Sequence, residues 1–315
     1  MPLPSWLPTL LLLLSTSVSA QTFLQNEQRA DGSWPIVEHG GRPDATLRVQ
    51  ALVLLLCVSD GSNSSSGPWQ AVIGRAVSWL HRAQDRRGRL GLRPDPDWLL
   101  DHAFATCALV EHARQTERQG REIWSPALMA VGAMREQLRL QRHGITAELA
   151  LWTRWTAMAL AVAARTVGNA QDVVAPTLET ASYQLRTALA LQRVQHQESE
   201  RDRAAAFLLA EVTGWQSMRL SLAPWPEDPV VEPLAAFYVL LARFRIGGSA
   251  WGPASRWAER QLVRKFGAGE LAHLRHTLAP TGAFGAENGL LGTTAAGLLA
   301  VQVYYRHGRI ALLED

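Results

Sequence analysis

"QNEQRADGSW", residues Gln25 to Trp34, decides how the rest of the chain is read. Asp31-Gly32 marks a turn, because glycine tolerates the positive φ that residues with side chains resist. A tryptophan two residues beyond that turn is more aromatic surface than a solvated loop needs, and Pro35 stops a helix from running on. The stretch therefore predicts a buried joint between two helices: Gln28 caps backbone groups at a helix end, Gly32 makes the turn, and Trp34 fills the wedge.

Working outward, the same spacing returns. Gln28, Gly32 and Trp34 spell Q-x3-G-x-W; Gln84, Gly88 and Leu90 spell Q-x3-G-x-L. Each follows a helical run and precedes an apolar helix opened by an Asp, "DATLRVQALVLLLCV" from Asp44 and "DHAFATCALVEHA" from Asp101. A worn third copy keeps Gly282 and Phe284 before a helix that begins around Gly292, Thr293 and Thr294. Ala, Leu, Arg and Gln dominate the intervening runs, and apolar residues recur at three- and four-residue intervals, as in Trp155, Met158, Ala159 and Val162. Gly and Pro gather between such runs, and Trp251 and Trp257 read as flanking one of those turns. Almost nothing reads as strand. The expected fold is all-α, a succession of helical hairpins, each burying its apolar face against the next.

Q-x3-G-x-W followed by an Asp- or Thr-led helix resembles the QW repeat of the prenyltransferase and squalene cyclase superfamily. The resemblance covers most of the chain after Gln21 and comes closest to exported bacterial proteins with prenyltransferase/squalene-oxidase repeats. It implies an α/α toroid, two concentric rings of helices, occupying residues 21–315. Inner-helix candidates follow in order at His102 to Leu109, Trp155 to Leu160 and Val303 to Arg306.

The beginning of the chain reads as a secretory leader, residues 1–20: an apolar core from Leu10 to Leu14, then Val18 and Ala20 at the −3 and −1 positions before Gln21. That core is too short to span a bilayer, and after cleavage no transmembrane segment is expected. The protein is thus expected outside the cytoplasm, periplasmic or extracellular. The net charge of +3 is carried by dispersed arginines with a single lysine, Lys265, so no basic stripe suggests a nucleic-acid partner. Cys57 and Cys107 both lie in apolar helical runs; the exported context permits a bridge, while their surroundings suit two buried thiols.

The chemistry of the superfamily finds little to match. Its cyclases protonate an alkene from a D-x-D-D motif, in which neighbouring carboxylates keep one acid protonated and oriented. In "RPDAT" only Asp44 falls on a motif acid, and Arg42 beside it favours the ionised form. "DPDW", Asp95 to Trp98, has a tryptophan in the fourth place. Prenyltransferase zinc ligands need D-x-C, and the related thioester domains need C-G-E-Q; both are absent, as are a G-x-S-x-G elbow and a P-loop. No metal or cofactor is expected. The nine histidines are scattered, with His102 at an inner-helix start, where packing or a hydrogen bond explains it better than a ligand role. Twelve tryptophans are the unusual excess. Trp152 and Trp155, three apart on one helical face, and Tyr304, on the last helix, are the aromatic candidates for lining an apolar site, although sealing hairpin against hairpin explains them better. "QRVQHQESERDR", Gln192 to Arg203, reads as a charged solvated segment. The candidate ligand-binding residues are Asp44, His102, Trp152, Trp155 and Tyr304, with Asp44 also the candidate catalytic acid. The expected function is binding of an apolar ligand or a protein partner in the cell envelope; the alternative is a divergent terpenoid cyclase or prenyltransferase-like enzyme.

Overall fold

The computed structural model describes residues 22–91, 97–116, 121–140, 145–167, 173–177, 179–180, 183–184, 200–213, 232–263 and 283–305. The leader, Asp95, Gly282 and residues 192–199 lie outside them. The described residues are helical and contain no β-strand; Gln84–Leu90 and Asn63–Ser66 form only isolated bridges. The longer helices are α1 (Thr46–Ser59), α2 (Gln70–Ala83), α3 (Trp98–Gln115), α4 (Arg121–Leu140), α5 (Ala147–Val167), α6 (Glu200–Thr213), α7 (Pro233–Ile246), α8 (Gly248–Ala258) and α9 (Ala283–Tyr305).

Two kinds of helix alternate along the first half. In α1 every residue from Leu47 to Ser59 is buried, and in α3 every residue from Asp101 to Ala113. Such helices, buried all round, need neighbours on every side. By contrast α2 and α8 bury only one stripe: Val72, Ile73, Ala76, Val77 and Leu80 in α2, Ala254, Trp257 and Ala258 in α8. These sheathe the buried kind, with α2 on α1, α4 on α3 and α8 on α7. The buried helices follow one another: α1 packs on α3, α3 on α5, α5 on α6, α6 on α7, α7 on α9, and α9 back on α1.

The boundaries have local causes. Before α1, Pro43–Ala45 forms a 3-10 turn, and the Thr46 hydroxyl donates to the Pro43 carbonyl. Before α7, both Glu232 carboxylate oxygens accept backbone N–H groups, from Leu234 at 3.1 Å and Ala235 at 3.2 Å, while Pro233 occupies the first helical position. Helix α9 is broken at Gly289, so the inner helix expected near Gly292 begins just after that break. Those expected at Asp44 and Asp101 begin at Thr46 and Trp98.

Two expectations are corrected. Trp251 and Trp257 do not flank a turn: Gly252 and Pro253 lie inside α8, where the missing proline N–H removes one intrahelical hydrogen bond without ending the helix. The end of the supposed solvated segment, Glu200 to Arg203, opens α6, and the alanines that follow it are buried. The cysteines are two buried thiols rather than a bridge, and burial raises the pKa of both.

Candidate functional site

The Gln–Gly joint is one device built twice. Gln28 Nε2 donates to the Gly32 carbonyl at 3.1 Å and to Val72 in the first turn of α2 at 3.0 Å. Gln84 Nε2, 56 residues later, donates to the Gly88 carbonyl at 3.1 Å and to Pro126 in α4 at 2.9 Å. Inside the two turns the backbone bonds also correspond: Arg29 N–H to Ser33 O (2.8 Å) beside Asp85 N–H to Arg89 O (2.9 Å), and Gly32 and Gly88 N–H to the carbonyls of Arg29 and Asp85, both 2.9 Å. So the glutamine does not cap the helix before it, as its position suggested. It pins the turn onto the next amphipathic helix.

The glycines explain themselves. Gly32 has φ +90° and Gly88 φ +80°; a Cβ on either would lie 2.1 Å from a backbone oxygen, that of Arg75 or of Met129. Trp34, 2% exposed, sits in the joint with its indole N–H on the Leu24 carbonyl at 2.7 Å.

The residues predicted for a ligand site are scattered among different settings. Asp44 is at the surface, its carboxylate ion-paired with Arg42. His102 is wholly buried, stacked on Trp98 with ring centroids 5.4 Å apart. Its Nδ1 accepts the Leu90 N–H at 3.1 Å and its Nε2 lies 3.0 Å from the Ala130 carbonyl, so both ring nitrogens serve the second joint. Burial lowers its pKa to about 4, which leaves the neutral imidazole those two bonds require. Trp152 and Trp155 are buried and meet edge to face at 5.8 Å; Trp152 also lies against Phe104. Tyr304, partly buried, packs near Trp251 at the other end of the succession. The structure brings Trp152 and Trp155 together and leaves the other three apart.

What it does assemble is a polar group at the starts of α5, α6 and α7 that the residue patterns did not announce. Glu148 lies in the first turn of α5, Arg201 and Asp202 in that of α6, and Glu232 directly before α7. Tyr238, one turn into α7 and wholly buried, receives the Trp152 indole N–H on its hydroxyl and extends that hydroxyl to Glu148 Oε1 at 3.4 Å. Arg201 Nη1 is 3.6 Å from Glu148 Oε2, and Arg201 Nε is 3.7 Å from Asp202. Burial raises the Glu148 carboxyl above its usual range against the pull of Arg201 and Arg48. Burial and the Glu148 charge bring Glu232 to about 7, in spite of its two backbone hydrogen bonds. Tyr238 is pushed well above its ordinary value by burial. Two acids whose pKa values burial raises, beside a guanidinium and a phenol, form the arrangement from which proton-exchanging and ligand-binding sites are made. The one legible sign was "VEP", an acid before Pro233.

A second charged group is structural by its geometry. Buried Arg48 on α1 holds Asp101 at 2.5 Å and Asp97 at 3.0 Å on the α3 side, and Glu287 on α9 at 3.3 Å. It fastens the first buried helix to both of its neighbours. Elsewhere an open groove of about 1030 Å³ runs along the outer side of α2, lined by Asp31, Ser64, Gln70, Arg75, Ser78 and Arg82 among others. Among the described residues no three His, Cys, Asp or Glu side chains are grouped to hold a metal ion, and no helix is long and apolar enough to cross a membrane. Compared with protein-family models and with curated proteins, the chain matches none.

Proposed function

We propose that this chain is an exported α/α toroid of the prenyltransferase and squalene cyclase repeat type, and that it binds a protein partner in the cell envelope rather than transforming a terpenoid. The closed succession of buried helices sheathed by amphipathic ones, and the twin Gln–Gly joints, support the toroid. The "LLLLL" leader ending at Ala20 supports export.

The observation that carries the non-catalytic reading is the setting of Asp44. The one acid that the resemblance offers for alkene protonation is at the surface, ion-paired with Arg42, and without the neighbouring carboxylates that a D-x-D-D motif would place beside it. A protein partner is preferred to an apolar ligand because Trp152 and Trp155 are packed against Phe104 and one another, leaving no aromatic face among them to meet a ligand. Incubation with squalene, farnesyl diphosphate and geranylgeranyl diphosphate is expected to give no product. A product formed by the native protein and lost in Asp44→Asn would overturn this reading and make Asp44 the acid.

A further inference from the structure

The open groove along the outer side of α2 has a polar lining that the fold uses only in part. Its charged residues are Asp31, Arg75 and Arg82. A guanidinium has several N–H donors. Arg75 spends one, Nε, on Gln28 Oε1 at 2.9 Å, and Arg82 spends one on the Asp31 backbone carbonyl. Both acceptors are neutral oxygens, and neither arginine is ion-paired among the described residues. Asp31 offsets at most one of the two charges, and its Oδ1 is already taken by the Ser33 N–H at 2.9 Å and hydroxyl at 2.7 Å. Between the arginines stands Gly74, inside α2, where an added Cβ would meet nothing within 4 Å. Packing gives no reason for a glycine there, although in a helix interior it costs about 1 kcal/mol against alanine. With Ala71 and Ser78 a turn to either side, it keeps the floor of the groove low.

On the reading that this chain binds a protein partner, we infer that the groove takes an extended, acidic segment of that partner, with its carboxylates on Arg75 and Arg82. Spacing narrows the choice. The two arginines are seven residues apart on α2, so they share a face and their Cα atoms lie about 10 Å apart along the axis. One phosphate or one carboxylate does not bridge that gap. A chain in the polyproline II conformation brings every third side chain to one side, about 9 Å apart, and so presents two carboxylates at the right interval. A docking helix needs an apolar floor, whereas Ser64, Gln70 and Ser78 line this one. A single-stranded nucleic acid needs aromatic faces for its bases, and among the described residues none lines the groove. The low floor at Gly74 lets the backbone of the bound segment come close to α2 while its acids reach the two guanidinium groups.

Fluorescence anisotropy of the full mature chain titrated into a labelled Gly/Ser peptide with glutamate at every third position is the test. The same peptide with glutamine for glutamate, inorganic phosphate and oligothymidylate are the controls. The acidic peptide is expected to bind, less tightly as salt is raised, and about fivefold less tightly in Arg82→Gln. Gly74→Gln sends a long side chain into the open groove and suits a helix better than glycine, so it is expected to keep or raise the Tm while weakening the peptide about tenfold. No binding of the acidic peptide, equal binding of the glutamine peptide, affinity unchanged in both variants, or tighter binding of phosphate or oligothymidylate would overturn the inference. Each of those results leaves the non-catalytic reading standing, since that reading falls to a terpenoid product lost in Asp44→Asn, which involves no residue of the groove.

Discussion

The starts of α1 and α3 and the starts of α5, α6 and α7 solve the same problem in opposite ways. In both regions buried helices begin with polar side chains that folding must remove from water. At the first, Gln28 and Gln84 each make two hydrogen bonds of 2.9–3.1 Å, His102 uses both ring nitrogens, and Arg48 holds three carboxylates. At the second, Glu148 has one hydrogen bond of 3.4 Å, Arg201 has only long ion contacts, and Glu232 stays close to half protonated at neutral pH. The first region spends most of its polar groups on holding the chain together, Gln50 Oε1 excepted. The second keeps capacity in reserve, and reserved polar capacity in a folded core is the usual mark of a place that meets something else.

The sharpest way to break this contrast is at the glycines. Gly32→Ala and Gly88→Ala each force a left-handed residue and a Cβ into a backbone oxygen, so each is expected to destabilise by about 3–5 kcal/mol, with similar losses at the two sites. Denaturant unfolding measures this. If alanine is tolerated at one site and not the other, the two joints are not the same device.

The second contrast is in pH. His102 has a folded pKa of about 4, below its unfolded value of about 6.5, so the unfolded chain takes up the proton first and stability falls as pH drops from about 6.5 toward 4. Glu232 runs the other way. Its folded pKa of about 7 lies above the unfolded 4.5, so the folded chain holds the proton longer and stability falls as pH rises from about 4.5 through 7. Glu148 on α5 and Arg201 on α6 face Glu232 and remain in place when it is replaced, and Glu148 is itself raised by burial, so Glu232→Gln is expected to shrink the alkaline-side loss by about 3 kcal/mol and leave the acid-side loss intact. Thermal unfolding across pH 4 to 8 measures both limbs. An unchanged alkaline limb in the variant would remove Glu232 from the account.

The same contrast explains what could be read in advance. The joint was legible because its parts, Gln28, Gly32 and Trp34, fall within seven residues and recur at a fixed spacing, so a sequence pattern and a spatial device coincide. The helical class was legible from period and composition. Glu148, Arg201 and Glu232 were not legible, because three separate helices bring them together across long stretches of chain. Each alone reads as an ordinary helix-start acid or surface arginine. The aromatic excess was legible as packing but not in its partners: Trp152 is identifiable by type, while the Phe104 and Tyr238 it packs against come from other helices. His102 was legible as a residue that packs or hydrogen-bonds at a helix start, but its partners at Leu90 and Ala130 lie on other elements and were not.

The most direct test of committed against reserved polarity is a pair of replacements measured side by side by denaturant unfolding, Gln84→Leu and Glu148→Leu. Gln84→Leu removes two good hydrogen bonds and is expected to cost about 1–3 kcal/mol. Glu148→Leu removes a desolvated, poorly satisfied carboxylate, while Arg201 keeps Asp202 and solvent, so stability is expected to stay level or rise by about 1 kcal/mol. A loss in Gln84→Leu with none in Glu148→Leu is the predicted result; a Glu148→Leu variant that loses as much stability as Gln84→Leu would contradict the account.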